Sequence, residues 1–332
     1  MNLIRQSLAI PVKEMHDVGD ARRQATQAAK DLGFDETTAG RVGIVTTELA
    51  GNLVKHAGGG TLILRALKVG SNAGLELITL DDGPGMDVQR CMEDGYSTAG
   101  SPGTGLGAIK RLTAAFDIYS LRDRGTVMVA RLWAGTVPVT AFDIGVICLP
   151  VGGETQCGDG WATRETEAGI DFVVCDGLGH GPVAAQASDA ALSIFTDRPD
   201  LEPGALLDRM HGALKATRGA AALTARLDST AGQLTCAGVG NIGGYIMSQP
   251  KPRGIVSMNG IVGHQVTKVK TFTYDCSPND LVILHSDGLT THWKLDDFPG
   301  LLNRSAGIIA AMMYKHFKRG KDDATVLVLR RP

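Results

Sequence analysis

Residues 171–181 read DFVVCDGLGHG, an apolar, β-branched run closed by an aspartate and a cluster of glycines. That composition is the signature of a buried strand, and the glycines mark its end and a turn. The punctuation recurs downstream: LVILHSDGL (281–289) closes an apolar run with Asp287, and KDDATVLVLR (321–330) sets Asp322 and Asp323 just ahead of one. A fourth carboxylate, Asp159, stands upstream in CGDGW (157–161). Sheet pairing gathers strand ends that are far apart in sequence, so these aspartates can meet at one sheet edge. Converging carboxylates repel and do not all stay ionised without compensating cations. Oxygen donors without a histidine or thiolate cluster point to magnesium or manganese rather than zinc. A pair of such ions lowers the pKa of a bridging water and polarises a phosphoryl oxygen. Singly, each Asp-Gly is more readily a plain turn, and it is the recurrence of four in this arrangement that weakens that reading.

Working outward, IGVICLP (144–150), LTARLD (223–228), QLTCAGVG (233–240) and VKTFTYD (269–275) read as further strands, with helices over 181–197, 203–217 and 301–317. The first part of the chain differs. Val18, Ala21, Ala25, Ala28, Ala29 and Leu32 recur at helical spacing, which predicts helices over 17–32 and 36–57, the second capped by Asp35. Strands follow at 61–69, 75–80 and 126–133, with a helix over 104–116. Between the halves, AGTVPVTAF carries Gly135 and Pro138 and breaks both patterns. The expected organisation is a first domain at 1–134, a linker at 135–141 and a second domain at 142–331, natural for 332 residues.

Hydrophobic residues make up 43% of the chain and charged residues 20%, with a formal net charge of −2, so nothing points to nucleic acid. No run of 18 uncharged apolar residues occurs, and MNLIRQSLAIPVKEMHD lacks a signal peptide's apolar stretch; the expectation is a cytoplasmic protein with no membrane partner. The six cysteines form no CxxC pair and several sit in apolar runs, as reduced core residues do.

The first domain carries four pieces in order. Glu48 and Asn52 lie four apart on one helix and share a face, where an amide can hold magnesium and a carboxylate can accept a proton. Asp81 precedes Gly83 and Gly85 in DDGPG after a strand, placed to accept a hydrogen bond from an adenine amino group, though the string is also good turn chemistry. Gly103, Gly105 and Gly107 open a helix, whose N-terminal N–H groups favour phosphate. Gly125 and Thr126 open a strand. No βαβ unit and no GK[ST] surrounds these glycines, which excludes Rossmann and Walker readings.

Together these pieces resemble the GHKL ATPases, and GYSTAGSPGTGLGAIKRL (95–112) is similar to the anti-sigma and stress-switch serine kinases of that superfamily. The resemblance implies a GHKL (Bergerat) α/β sandwich binding ATP with Mg2+. Glu48 would be the base, Asn52 the magnesium ligand, Asp81 the adenine contact, Gly83 and Gly85 the close approach, Gly103, Gly105 and Gly107 the phosphate loop, and Thr126 a further nucleotide neighbour. His56 reads as structural rather than phosphorylated. In the second half DGLGHG, AGVGN, LVILHSDGL and DDATVLV resemble the PPM-class phosphatases, specifically their sporulation-type bacterial branch. That implies an αββα sandwich and an overall α+β class. The metal ligands, for two Mn2+ or Mg2+, would be Asp159, Asp176, Asp287 and Asp322, with a Gly160 or Gly177 carbonyl in support and Asp323 as the alternative to Asp322. His180 is either a proton-transfer group or a loop-ordering one, and no phosphate-binding arginine matches. Both resemblances imply STAS-domain partners, anti-sigma antagonists or stressosome proteins, handled by a kinase and a phosphatase in one chain. The alternative is a phosphatase whose first domain only binds ATP and sequesters a sigma factor or another partner.

Overall fold

The helix start anticipated at Asp35 is formed: its carboxylate accepts from the Thr38 N–H at 2.7 Å, and Gly58, in the left-handed region, ends the same helix. The computed structural model describes residues 6–91, 105–248, 251–266 and 268–331. It divides into two compact units, Met1–Thr140 with Leu295–Met312, and Ala141–Lys294 with Met313–Pro332.

In the first unit the elements are β1 (Leu8–Val12), α1 (Met15–Asp31), α2 (Glu36–Ala57), β2 (Gly60–Val69), β3 (Asn72–Leu80), the short α3 (Val88–Cys91), α4 (Gly105–Leu112), β4 (Ala115–Leu121) and β5 (Gly125–Trp133). The strands form one antiparallel sheet in the order β1-β2-β3-β5-β4. Val42, Leu49 and Leu53 of α2 pack with Leu62, Leu64, Leu75, Leu77 and Met128 on one sheet face. The period of two puts Ile63, Arg65, Glu76, Ile78 and Val129 on the other face, and they too are buried. Residues 295–312 lie against that second face. The Ser305 N–H donates to Asp117 Oδ2 at 2.9 Å, the Tyr119 hydroxyl donates to the Pro299 carbonyl at 3.0 Å, and Gly307 stands beside Val129, Arg131 and Glu76.

Two expectations here are corrected. The helix drawn to residue 116 stops at Leu112, because the Thr113 hydroxyl turns back to the Ile109 carbonyl (2.9 Å) and the Ala114 N–H has joined the ladder to Arg131 (2.8 Å). AFDIYSL is therefore a strand, β4, and β1 is a second strand not anticipated.

The second unit contains β6 (Asp143–Leu149), β7 (Asp159–Glu165), β8 (Gly169–Gly177), α5 (Gly181–Asp197), α6 (Pro203–Ala213), β9 (Ala220–Asp228), β10 (Gln233–Val239), β11 (Gly243–Met247), β12 (Arg253–Gly254), β13 (Thr271–Asp275), β14 (Leu281–His285), α7 (Ala306–Phe317, divided between the units) and β15 (Ala324–Arg330). They build two five-stranded sheets, β13-β10-β9-β8-β7 and β12-β11-β14-β15-β6. Phe172, Val174 and Leu223 from the first meet Val146, Val282, Leu284 and Leu327 from the second in a shared core. Helices α5 and α6 cover the other face of the first sheet, with Ala187, Ala191, Leu207 and Met210 against Val173, Cys175 and Ala222. The helices expected over 203–217 and 301–317 are shorter, each with a 3₁₀ turn in the remainder. Strands β7 and β11 and the two-residue β12 were not read from the sequence. None of the six cysteines forms a disulfide.

Candidate functional site

Each unit gathers one group of the residues singled out above. In the first unit Asp81 directly follows β3 and is buried. Its Oδ1 accepts from the backbone N–H of Gly83 (2.9 Å) and of Thr126 (3.1 Å), and its own N–H donates to the Thr126 carbonyl (3.1 Å). The Thr126 and Ser120 hydroxyls share a 2.9 Å hydrogen bond. Asp81, Gly83 and Thr126 are thus one hydrogen-bonded knot where β3 and β5 adjoin. Gly85 serves a different end: its φ is +74° and an added Cβ would stand 2.3 Å from the Leu121 carbonyl, so the turn closes on the β4–β5 hairpin only without a side chain.

Glu48 and Asn52 sit half-buried, one turn apart on α2. The Glu48 carboxylate faces the start of α4, since a Cβ on Gly105 would lie 2.9 Å from Glu48 Oε2. The structure therefore joins the proposed base to the N-terminus of the helix that carries Gly105 and Gly107. Gly103 lies outside the described residues.

In the second unit the four aspartates collect at one end of the paired sheets. Asp159 opens β7 directly across from Asp176 at the end of β8. Asp287 follows β14 and Asp322 precedes β15, its neighbour in the other sheet. Burial pushes Asp176 up to about 9, with the charges of Asp159, Asp287, Asp322 and Asp323 adding to it. Asp159 rises to about 7, again through burial first; the neighbouring Ser286 and Thr325 hydroxyls pull the other way, and Asp323 and Asp322 push further up. Asp287 is raised by burial and by Asp322, opposed by Arg319 and by the Asn241 amide, which donates to its Oδ2 at 2.7 Å. Among the described residues no three His, Cys, Asp or Glu side chains are already closed into a metal-binding group.

Asp323, the alternative to Asp322, is occupied by the backbone. Its Oδ1 accepts from the Val151 N–H (2.7 Å), and its Oδ2 from Gly158 (2.5 Å) and Gly181 (3.4 Å). Gly177 is a close-packed position, where an added Cβ would come within 2.1 Å of the Ala184 carbonyl; Gly160 packs on Leu192 and Ser188 of α5. His180 pairs with Glu154 at 2.9 Å, which ties the loop after Asp176 to the loop after β6.

The residues present fit a divalent cation. Asp159 Oδ2 is buried without a hydrogen-bond partner among the described residues, beside the carboxylates of Asp176, Asp322 and Asp323, while the nearby thiols of Cys148 and Cys157 pack against each other in the core. An orphaned buried carboxylate oxygen is costly unless something positive meets it. Asn241 went unread in this role although it stands in AGVGN; its signal is a lone amide at a strand end.

The family model described as Stage II sporulation protein E (SpoIIE) matches residues 166–332, half of the chain. The chain belongs to the SpoIIE family. Asp176, Asp287 and Asp322 fall within this SpoIIE match, and Asp159 just before it. A second family model, the histidine kinase-like ATPase domain, matches residues 12–132. The serine/threonine-protein kinase RsbT of Bacillus subtilis (strain 168) is 36% identical over 118 residues, 35% of this chain and 89% of RsbT. The phosphoserine phosphatase RsbX of the same organism is 24% identical over 180 residues, 53% of this chain and 88% of RsbX. Among solved structures, a chain from a study of the bacterial stressosome superposes with a TM-score of 0.54 at 27% identity, over 57% of this chain and all of that one. The magnesium complex of RsbX gives 0.52 at 22% identity, over 60% and 99%, which shows the fold. This SpoIIE-family chain accordingly joins a kinase-like ATPase domain to a PPM-type phosphatase domain. No helix among the described residues is long and apolar enough to cross a membrane.

Proposed function

We propose that the chain is a two-way regulator of partner-switching signalling: its ATPase domain, residues 1–134, phosphorylates a serine or threonine of a STAS-domain protein, and its phosphatase domain, residues 142–331, removes such a phosphate. The observation that carries the phosphatase half is the crowding of buried carboxylates around the orphaned Asp159 Oδ2. Asp159, Asp176, Asp287 and Asp322 would hold two Mn2+ or Mg2+, helped by a Gly160 or Gly177 carbonyl. Bound there, the ions supply the positive charge that keeps these carboxylates ionised and the acidity that turns water into a nucleophile at phosphorus. The chain's own part is positional: Asn241 fixes the rotamer of Asp287, and Asp323 is held by N–H groups of the β6–β7 loop and of the turn into α5, while Asp322, its Oδ1 oriented by the Asp323 N–H, is the one left to face the site.

For the kinase half, Glu48 beside Gly105 is the supporting contact, because a base must stand where the transferred phosphate arrives. Asn52 would hold magnesium and Asp81 the adenine, its carboxylate oriented by Gly83 and Thr126. Gly105 and Gly107, with Gly103, would lend N–H donors to the phosphates. RsbT and RsbX bear kinase and phosphatase names in one organism, which supports opposed activities on a shared STAS-domain partner, anti-sigma antagonist or stressosome component.

The test follows the intact mass of a purified STAS-domain partner. It starts either unmodified, with ATP and magnesium, or phosphorylated, with manganese, with wild-type chain or Asp287→Ala. Gain of phosphate that accumulates further in the variant, and loss only with wild type, is the expected result. Loss without gain would reduce the first domain to nucleotide-dependent binding of a partner or a sigma factor.

A further inference from the structure

A phosphomonoester brings two negative charges to a site built of carboxylates, and no sequence motif names the cation that receives it. Strand β9 runs beside β8 with Asp176 opposite Ala221 and Gly177 opposite Ala220. The ladder continues past the strand ends, as the Leu178 N–H donates to the Gly219 carbonyl at 3.0 Å. Arg218 therefore stands alongside the Gly179 turn, at the same sheet end as Asp159 and Asp176. Its Nη1 lies 3.2 Å from where a Cβ of Gly179 would be, so the guanidinium is laid across this turn.

The base of the residue is fixed and its tip is not. The Gly219 N–H donates to Thr217 Oγ1 (3.0 Å), Thr217 Oγ1 donates to the Leu214 carbonyl (2.8 Å), and the His264 ring contacts the Thr217 carbonyl (3.0 Å). Arg218 is exposed and, among the described residues, no carboxylate pairs with it. His180, on the same turn, is engaged by Glu154. A planar guanidinium with an anchored stem and unengaged donors matches a tetrahedral phosphate.

We infer that Arg218 is the substrate-binding residue that receives the phosphoryl oxygens of the phosphoserine or phosphothreonine. This rests on the phosphatase reading above. Arg319 is the rival: its N–H donates to the Gly288 carbonyl at 2.8 Å, on the Asp287 side of the site.

The full chain is assayed with manganese and p-nitrophenyl phosphate, measuring KM, kcat and competitive inhibition by inorganic phosphate, alongside thermal unfolding. Arg218→Ala is expected to raise KM and weaken phosphate inhibition by about tenfold or more, the loss of a charged hydrogen bond, with kcat within about threefold. Arg218→Lys should recover part of both, Arg319→Ala should change neither, and all variants should melt with wild type. Unchanged phosphate inhibition in Arg218→Ala, or the loss appearing in Arg319→Ala instead, overturns the assignment. A wild-type chain with no metal-dependent activity sinks the phosphatase reading first, and this assignment with it.

Discussion

Glu76 shows how one residue's charge is carried in the first unit. It is fully buried on the second sheet face between Arg65 (2.8 Å) and Arg131 (2.7 Å). Burial alone would raise its pKa, yet the two guanidinium groups overcome it and hold the carboxylate below its usual value. A depressed folded-state pKa contributes stability that is present above the unfolded value and lost as pH falls through the folded one. Acid should therefore destabilise the wild-type first unit through this group, and Glu76→Gln should flatten that limb of a melting-temperature profile between about pH 5 and pH 3. Glu76→Ala, which strands a buried Arg65, should cost about 3–5 kcal/mol in denaturant unfolding. For the nucleotide site, Asn52→Ala should weaken magnesium-dependent ATP binding about tenfold or more in a titration, with little change in melting temperature because the side chain is half-exposed; an unchanged titration would contradict its role.

Strand ends, rather than strands, carry the chemistry of the second unit. Four elements bring Asp159, Asp176, Asp287 and Asp322 together, and Asp159, Asp176 and Asp287 resist being charged there. The sign is opposite to that of Glu76. Raised folded-state values mean that the metal-free chain holds its full contribution below the unfolded carboxylate range, and loses it as pH rises through about 7 for Asp159 and about 9 for Asp176. Manganese should remove that loss. Melting temperatures of the chelated chain should fall from pH 6 to pH 9 while those with excess manganese fall less, so a manganese-induced shift that does not grow with pH would count against metal at these residues. The Asp-Gly punctuation made most of this legible, because an apolar run ending in a carboxylate is visible in one dimension. β4, β7 and β11 were not: AFDIYSL directly follows a helix, and DGWATRE and GGYIM lack a long β-branched run, so their strand state is set by the neighbours they pair with. Asp322 and Asp323 were inseparable in sequence, since only three backbone N–H groups from distant loops distinguish them. Arg218 carried no signal at all, being one exposed arginine among many.

At the scale of the whole molecule, the two units interleave along the chain, because Leu295–Met312 belong to the first unit though they follow Asp287 in sequence. No local pattern announces this: helical periodicity says that a face must be buried, not which sheet will bury it. The consequence is testable by truncation. A fragment ending at Thr140 contains every residue proposed for the ATP site but lacks the segment that places Ser305 on Asp117, Pro299 on Tyr119 and Gly307 beside Val129 and Glu76. Ile63, Ile78 and Val129 would then face water, an apolar patch of the kind that drives association. The fragment should melt well below the first transition of the full chain and self-associate on a sizing column. A fragment 1–140 supplied with 295–312 through a flexible glycine-serine linker should recover both stability and monodispersity. Equal melting of the bare fragment and the full chain would mean that the sheet's second face needs no cover, and that the segment's place in the first unit is incidental to its folding.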